Sequence, residues 1–471
     1  MSRYKKLGRN IALLSLGNMA SKILSFLLIP LYTAVLTTTE YGTADLMTTT
    51  VDLIMPFFTL LIGEAIVRFA LDAHCDKSAV FTSAIPILVG GLCLFFFFSP
   101  LVCLIDELVS YYWYFVVFYV SVVLVAVLGG FIRGIEKIVI YSLGGILHTA
   151  LFLVLNITLL VVFKVGLQGY LLAMILSNVG TIVFYIAKGK LYAYFEPSKF
   201  DIPLLKKMLL YSIPMIPNSL SWWVSNSSDK YLLTMFCGIS ITGIYSVSQR
   251  IPTLFSTITN IFMNAWHISA VEDFGSENTK KFYSKVYCQY STLGIMVVST
   301  LVILTKPLAA LLFSKEFIAG WFFSPILLFA SLFHALSGFV GSIYTSAQRT
   351  KMLLYSTLMA AVANVALNFL WIPQYGALGA AGATLISYFV VWLVRMVDSR
   401  KIMKLTWNIR NDIVSFILIS AQIIIVLLDR QWHSMVIAIV LYFAIVFLNR
   451  KEILEVCKKM VAIIRAKGKK R

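Results

Sequence analysis

Apolar runs long enough to cross a bilayer recur from one end of this 471-residue chain to the other. A helical crossing needs about 20 predominantly apolar residues. Hydrocarbon offers no water to backbone N–H and C=O groups, so each such segment must satisfy its own by forming a helix. Fourteen candidate spans result, near 11–36, 44–67, 79–101, 111–132, 138–163, 167–187, 208–236, 240–266, 286–305, 321–346, 352–372, 377–397, 413–428 and 434–449. The chain is 60% hydrophobic and only 13% charged, a make-up that would leave a soluble domain with far too much exposed apolar surface. The expected fold class is an all-α polytopic membrane protein of about fourteen transmembrane helices.

A formal charge of +18 raises the question of nucleic acid, but the cations cluster between the hydrophobic runs and form no basic-aromatic surface module. No nucleic-acid partner is expected. Their placement sets orientation instead, because cytoplasmic loops collect Lys and Arg. With the N-terminus inside, 32 of the 39 Lys and Arg fall on the inner side, Arg395 at the inner end of span twelve counted among them. Four fall outside (Lys164, Lys306, Lys315, Arg430) and three within spans (Lys22, Lys230, Arg250). Both termini are therefore expected in the cytoplasm. The first apolar run has a basic start but no small-residue cleavage site after it, and reads as a retained helix. The six cysteines are scattered without a CxxC pair, so they read as small apolar residues and no metal site is expected. The basic tail from Arg450 is suited to the anionic inner leaflet.

An internal repeat is visible. Gly166, Gly169, Ala173 and Ser177 recur as Gly376, Gly379, Ala383 and Ser387, 210 residues later. Lys137, Tyr141 and Ser142 recur as Lys351, Tyr355 and Ser356, 214 residues later. Glu40-Tyr41-Gly42, between spans one and two, has its counterpart in Ile241-Thr242-Gly243. These offsets join span one to seven and six to twelve in the same orientation. Two parallel six-helix repeats follow, with two helices appended, and transporters built from such repeats bind substrate at the repeat interface. The expected organisation is a six-helix lobe over 1–190, a cytoplasmic linker over 191–207, a second lobe over 208–400, two additional helices over 401–449 and a basic tail over 450–471.

No GxxxxGK[ST], HExxH or GxSxG motif occurs, so no catalytic residue is assigned and the reading is a transporter rather than an enzyme. The outside loops, short and nearly uncharged, also disfavour a glycan polymerase or ligase. Polar residues instead run through the spans. Asn218, Trp222, Ser225 and Asp229 share one helical face, as do Ser246, Arg250, Thr253, Thr257, Asn260 and Asn264. Lipid tails cannot solvate such stripes, so they must face protein or water. Asn18 and Lys22 lie on a polar face of span one, and Asp52 lies deep in span two without an intrahelical partner. Pairing of Lys22 with Asp52 is the structural alternative to a direct role. Glu64 and Arg68 stand at i, i+4 with the acid first, the spacing of an ion pair or gate latch. Asp229 and Lys230 are about 100° apart on a helix, so Lys230 is expected to snorkel outward while Asp229 follows the stripe. Cations at mid-depth, Lys22 and Arg250, suit a phosphate or diphosphate, and Trp222, Asn218, Asn18 and Thr257 suit sugars. Acidic Asp52, Glu64 and Asp229, with Arg68, are the candidates for ion coupling or gating.

Gly17-Asn18, Leu28-Ile29-Pro30-Leu31-Tyr32, Glu40-Tyr41-Gly42, Ile62-Gly63-Glu64-Ala65 and Asp229-Lys230-Tyr231-Leu232-Leu233 resemble the bacterial polysaccharide-biosynthesis flippases. These are O-antigen-type flippases of the multidrug/oligosaccharidyl-lipid/polysaccharide exporter superfamily. The resemblance implies a V-shaped, two-lobed fold, alternating access, and an undecaprenyl-diphosphate-linked oligosaccharide carried across a bacterial plasma membrane. It also implies membrane lipids and other glycan-assembly proteins as partners. No cofactor is expected beyond coupling to a proton or sodium gradient. A cation-coupled multidrug exporter of the same fold, supported by Asp52, Glu64 and Asp229, is the first alternative. A peptidoglycan-precursor flippase is the second, disfavoured because span two offers Asp52 where such relatives carry a central cation.

Overall fold

A computed structural model describes residues 26–455, apart from 73, 275–277, 348, 407 and 429–431, together with Lys458. Asn18 and Lys22 lie outside the described residues, as does nearly all of the tail after Arg450. Among the described residues there is no strand, and the chain divides into two compact units, Met1–Gly243 and Ile244–Arg471. Nine helices are long and apolar enough to cross a membrane, with a bent pair as a tenth candidate, among the described residues.

In the first unit the helices are α1 (Ile29–Val35), α2 (Thr38–Thr59), α3 (Ile62–Ala70), α4 (Lys77–Phe98), α5 (Tyr112–Gly134), α6 (Ile138–Asn156), α7 (Leu167–Gly189), α8 (Ile202–Ser212) and α9 (Ile216–Cys237). The start of α2 is fixed by a capping box: Thr37 Oγ1 accepts from the Glu40 N–H, and Glu40 accepts from the Thr37 N–H at 2.8 Å. Span two is not one helix. Leu60 and Leu61 both adopt left-handed backbone (φ 48° and 51°), and α2 and α3 meet at a 62° bend. Pro56 lacks an N–H to donate within the last turn of α2, which weakens the helix just before the break.

Around the break the core is apolar and aromatic: Phe95 stacks on Tyr119 at 3.8 Å, and Ile62, Ala65 and Ile66 are fully buried. The two Tyr-Gly-type motifs of the repeat pack backbone to backbone. A methyl group on Gly42 would collide with the Ile239 carbonyl, and one on Gly243 with that of Thr38. Only glycine permits so close a crossing. Lys199 reaches Asp76 and Glu196 at 3.1 Å each, fastening the 191–201 segment to the start of α4.

Helix α10 (Ile239–Ser248) leads into the second unit, which holds α11 (Arg250–Asp273), α12 (Thr279–Leu312), α13 (Ser324–Ser346), α14 (Thr350–Tyr375), α15 (Ala377–Asp398), α16 (Ile409–Leu428) and α17 (Trp432–Leu448). The expected single span 240–266 is thus interrupted at Gln249, between α10 and α11. The segment 306–320, a candidate re-entrant piece, is the end of α12 followed by a short 3-10 turn.

Trp266, Tyr290 and Phe339 stack to form the middle of this unit. The appended helices dock through buried polar contacts, Ser291 donating to Asp412 at 3.1 Å and Ser299 to Gln422 at 2.9 Å, and are joined to each other where Asn449 donates to Ser415 at 3.0 Å. Arg395 overturns its assignment to the inner loops, for it is 3% exposed. Its guanidinium donates to Ser356 Oγ, Thr357 Oγ1 and the carbonyls of Ser337 and Leu353 at 2.9–3.5 Å, tying α13, α14 and α15 together.

Candidate functional site

Two polar regions stand inside the first unit. One joins α2 to α9. Lys230 Nζ lies 2.7 Å from Asp45, with both side chains nearly buried at 12% and 11% exposure. The expectation that Lys230 snorkels outward is therefore corrected: a carboxylate on the facing helix draws it inward, and an intrahelical pattern cannot reveal a partner 185 residues away. Around the pair, Tyr231 and Thr50 hydroxyls meet at 2.6 Å, and Trp223 Nε1 donates to the Thr49 carbonyl at 2.9 Å. Asp52 is exposed, two turns along the same face from Asp45, and its charged neighbours are Lys230 and Asp45. Asp229 is buried, whereas Asn218 and Trp222 of the same stripe are exposed.

Arg250 and Thr257 are half-buried on α11, where the Thr257 hydroxyl donates to the Thr253 carbonyl at 2.8 Å. Further along that face Asn260 and Asn264 are exposed. Neither α9 nor α11 is among the helices apolar enough to be counted as spans, although each has 22 residues or more. Their polar stripes explain this.

The other region is a cavity of about 480 Å³ inside the first unit, which sequence reasoning missed. It lies among α3, α5, α6 and α7, and its walls include Glu64, Arg133, Ser142, His148, Asn178 and Tyr185. Small residues create the space: Gly129, Gly130 and Gly145 line it. The backbone of α3 also abuts α5 closely, since a Cβ on Gly130 would stand 3.1 Å from the Gly63 carbonyl. His148 Nε2 lies 3.1 Å from Asn178 Oδ1, and Asn178 Nδ2 donates to Ser121 at 3.0 Å. Arg133 lies over the Tyr141 ring at 5.2 Å.

Glu64 and Arg68 are both exposed and form no ion pair with each other among the described residues. Helical spacing put them within reach, but solvation of both ends removes the incentive to pair. No group of three metal-ligating side chains occurs among the described residues.

Helices of bilayer length, with a nearly buried ion pair between two of the more polar ones, mark a multi-pass membrane protein. The comparisons agree. The profile of the polysaccharide biosynthesis protein family matches residues 7–267, more than half of the chain, and the chain belongs to that family. A membrane protein of Methanocaldococcus jannaschii is 24% identical over 284 residues, 56% of this chain and 54% of that protein, so the match spans about half of the relative's length. Among solved structures, the lipid II flippase MurJ in an inward closed conformation superposes with a TM-score of 0.69 at 13% identity, covering 93% of this chain and 99% of that one. An inward-facing MATE-family multidrug resistance transporter of the MOP superfamily gives 0.59 at 17% identity, covering 81% and 97%. At these identities the likeness is one of fold.

Proposed function

We propose that the protein flips an undecaprenyl-diphosphate-linked oligosaccharide, the repeat unit of an O-antigen, capsule or exopolysaccharide, from the cytoplasmic to the outer leaflet by alternating access. The observation that carries this reading is the family match across residues 7–267, which takes in α9 and most of α11, the two long helices too polar to be lipid-facing spans. A sugar chain needs many hydrogen-bonding groups along its path, and Asn218, Trp222 and Thr257 offer them. Asn18 is assigned to the same sugar path, and Lys22 and Arg250 supply contacts to the diphosphate, with Arg250 able to grip two oxygens at once. Asp52 and Asp229, with Glu64 and Arg68, are the groups assigned to coupling with a proton or sodium gradient or to gating. In this reading the functional lobes are 1–190 and 208–400, joined by 191–207, and the protein sits in a bacterial plasma membrane with both termini cytoplasmic. Other glycan-assembly proteins pass it the cargo.

The test is a deletion strain. Lipid-linked oligosaccharide should accumulate on the cytoplasmic leaflet and clear when the gene is restored, with drug accumulation unchanged. Unchanged lipid-linked sugar together with raised drug accumulation would overturn the reading in favour of a multidrug exporter. Rescue of cells depleted of their lipid II flippase would reassign the cargo to the peptidoglycan precursor.

A further inference from the structure

Arg133 and Ser142 both line the 480 Å³ cavity of the first unit, and each carries a buried donor, Nε and Oγ, with no hydrogen-bond partner among the described residues. Leaving a buried donor unmade costs about 1–3 kcal/mol, and more for a charged group. Among the described residues Arg133 also has no carboxylate within 4.0 Å, and its guanidinium lies over the Tyr141 ring at 5.2 Å. Glu64, on the helix that abuts α5 at Gly130, lines the same space and is likewise unpaired among the described residues.

The second repeat shows that such a space is not obligatory. Gly129 and Gly341 lie 212 residues apart, and Tyr185 and Arg395 lie 210 apart. A Cβ on Gly129 would stand 3.3 Å from the Tyr185 ring, as one on Gly341 would stand 3.2 Å from the Arg395 guanidinium, so the positions correspond. Ser142, unpartnered in the first repeat, corresponds to Ser356, which accepts from Arg395 at 2.9 Å. The second unit fills with its own guanidinium what the first leaves as a cavity with free donors.

We propose that this cavity is a binding site for a phosphate or phosphomonoester bearing a P–OH group, separate from the diphosphate contacts of the proposed cargo. Arg133 and Ser142 line the cavity with their unpartnered Nε and Oγ turned under its wall, so both side chains rotate to donate to the phosphate oxygens, and the Glu64 carboxylate accepts from the P–OH. The volume lies within the range of about 300–1,000 Å³ typical of small-molecule sites, so a sugar-sized ester group fits beside the phosphate, with the Tyr141 and Tyr185 rings as wall. The carboxylate gives the site its selectivity. Sulfate, fully ionised at neutral pH, has no proton to donate to Glu64 and meets repulsion there.

Purified full-length protein in detergent at about pH 6, where much of a phosphomonoester still carries its P–OH, titrated with inorganic phosphate, glucose 1-phosphate and sulfate and read by thermal melting and isothermal calorimetry, tests this. Wild type should bind phosphate or glucose 1-phosphate at least about tenfold more tightly than sulfate, a difference of 1.4 kcal/mol. Tighter binding of the ester would identify a sugar phosphate as the ligand, and equal binding the free anion. Arg133→Gln should abolish binding while melting near wild type without ligand. Ser142→Ala should weaken it, and Glu64→Gln should bring sulfate and phosphate to equal affinity. No phosphate response in wild type at millimolar concentration would overturn the proposal, and so would a response that survives Arg133→Gln or equal wild-type affinity for sulfate. Failure here leaves the translocation reading untouched, since the deletion strain reads movement of the lipid-linked sugar and not binding of a free phosphate.

Discussion

Two arginines, one in each repeat and at positions that do not correspond, have opposite fates. Arg395 in the second unit is almost wholly buried and donates four hydrogen bonds, all to uncharged oxygens on α13 and α14. Arg133 in the first unit rests on a tyrosine ring with its Nε unpartnered, beside a cavity. Both sit among helices of the same repeat, so the helical scaffold does not dictate the difference. It lies in the side chains: position 395 supplies the group that fills the space, and its counterpart Tyr185 is a ring that only lines it, its hydroxyl donating to the Tyr141 carbonyl at 3.2 Å. One repeat has a cation as internal cement, and the other keeps a cation available.

The comparison can be sharpened with a third cation. Lys230 belongs to the first unit yet is paired, so its loss should resemble loss of cement rather than loss of a ligand contact. Lys230→Met should cost about 3 kcal/mol by taking its cation from the nearly buried Asp45 carboxylate, and adding Asp45→Asn should restore most of the melting temperature. A double variant no better than Lys230→Met would show that the pair is not what holds α2 to α9.

Glycine substitutions give the next largest contrast. A Cβ at Gly341 meets a guanidinium fixed by four bonds, whereas one at Gly129 meets two tyrosine rings bordering open space. Gly341→Ala should therefore destabilise by about 1–3 kcal/mol, the usual cost of overpacking, and Gly129→Ala by clearly less. Equal melting temperatures for the two would mean that the first repeat is as rigid here as the second.

The smallest effect is expected at the solvated cluster of Asp76, Glu196 and Lys199. Hydrogen bonds from Lys199, and for Asp76 also from the Ser78 N–H, hold both carboxyls below their usual range. Depressed carboxyl values mean that their contribution is present at neutral pH and is lost as pH falls through the lowered values. Hydrogen bonds to Glu196 and then Asp76 raise the Lys199 ammonium, so its share is complete at neutral pH and disappears only as strongly alkaline pH passes the raised value. Asp76→Asn should thus melt slightly below wild type at pH 7 and together with it in acid, which melting curves across pH would show. A gap that widens in acid would contradict the assignment.

The sequence made the membrane class and most helix positions legible, because apolar length is a local signal, and its Gly-Gly-Ala-Ser spacing is what suggests the repeat. The Leu60–Leu61 break was hidden, since leucine carries no turn signature, although Pro56 stands four residues before it. Lys230 misled because its partner is on another helix. Arg395 misled because a cation near a span end looks like a loop charge, and only packing shows that three helices close over it. The cavity had no linear signature at all: glycines 129, 130 and 145 make space only once α3, α5, α6 and α7 are brought together. Asn18 and Lys22 gain no geometry from the described residues, and their assignment rests on the sequence pattern and family resemblance.

The claim that one repeat cements its arginine and the other keeps it for a ligand is tested most directly by melting Arg395→Gln and Arg133→Gln side by side, with and without phosphate. Arg395→Gln should lose at least about 3 kcal/mol, since several bonds to a charged donor go at once, and its first unit should still respond to phosphate. Arg133→Gln should melt within about 0.5 kcal/mol of wild type, as substitutions outside the packed core do, and should lose the phosphate response. If Arg133→Gln melts as low as Arg395→Gln, or keeps the response, both arginines are structural and the contrast between the repeats fails.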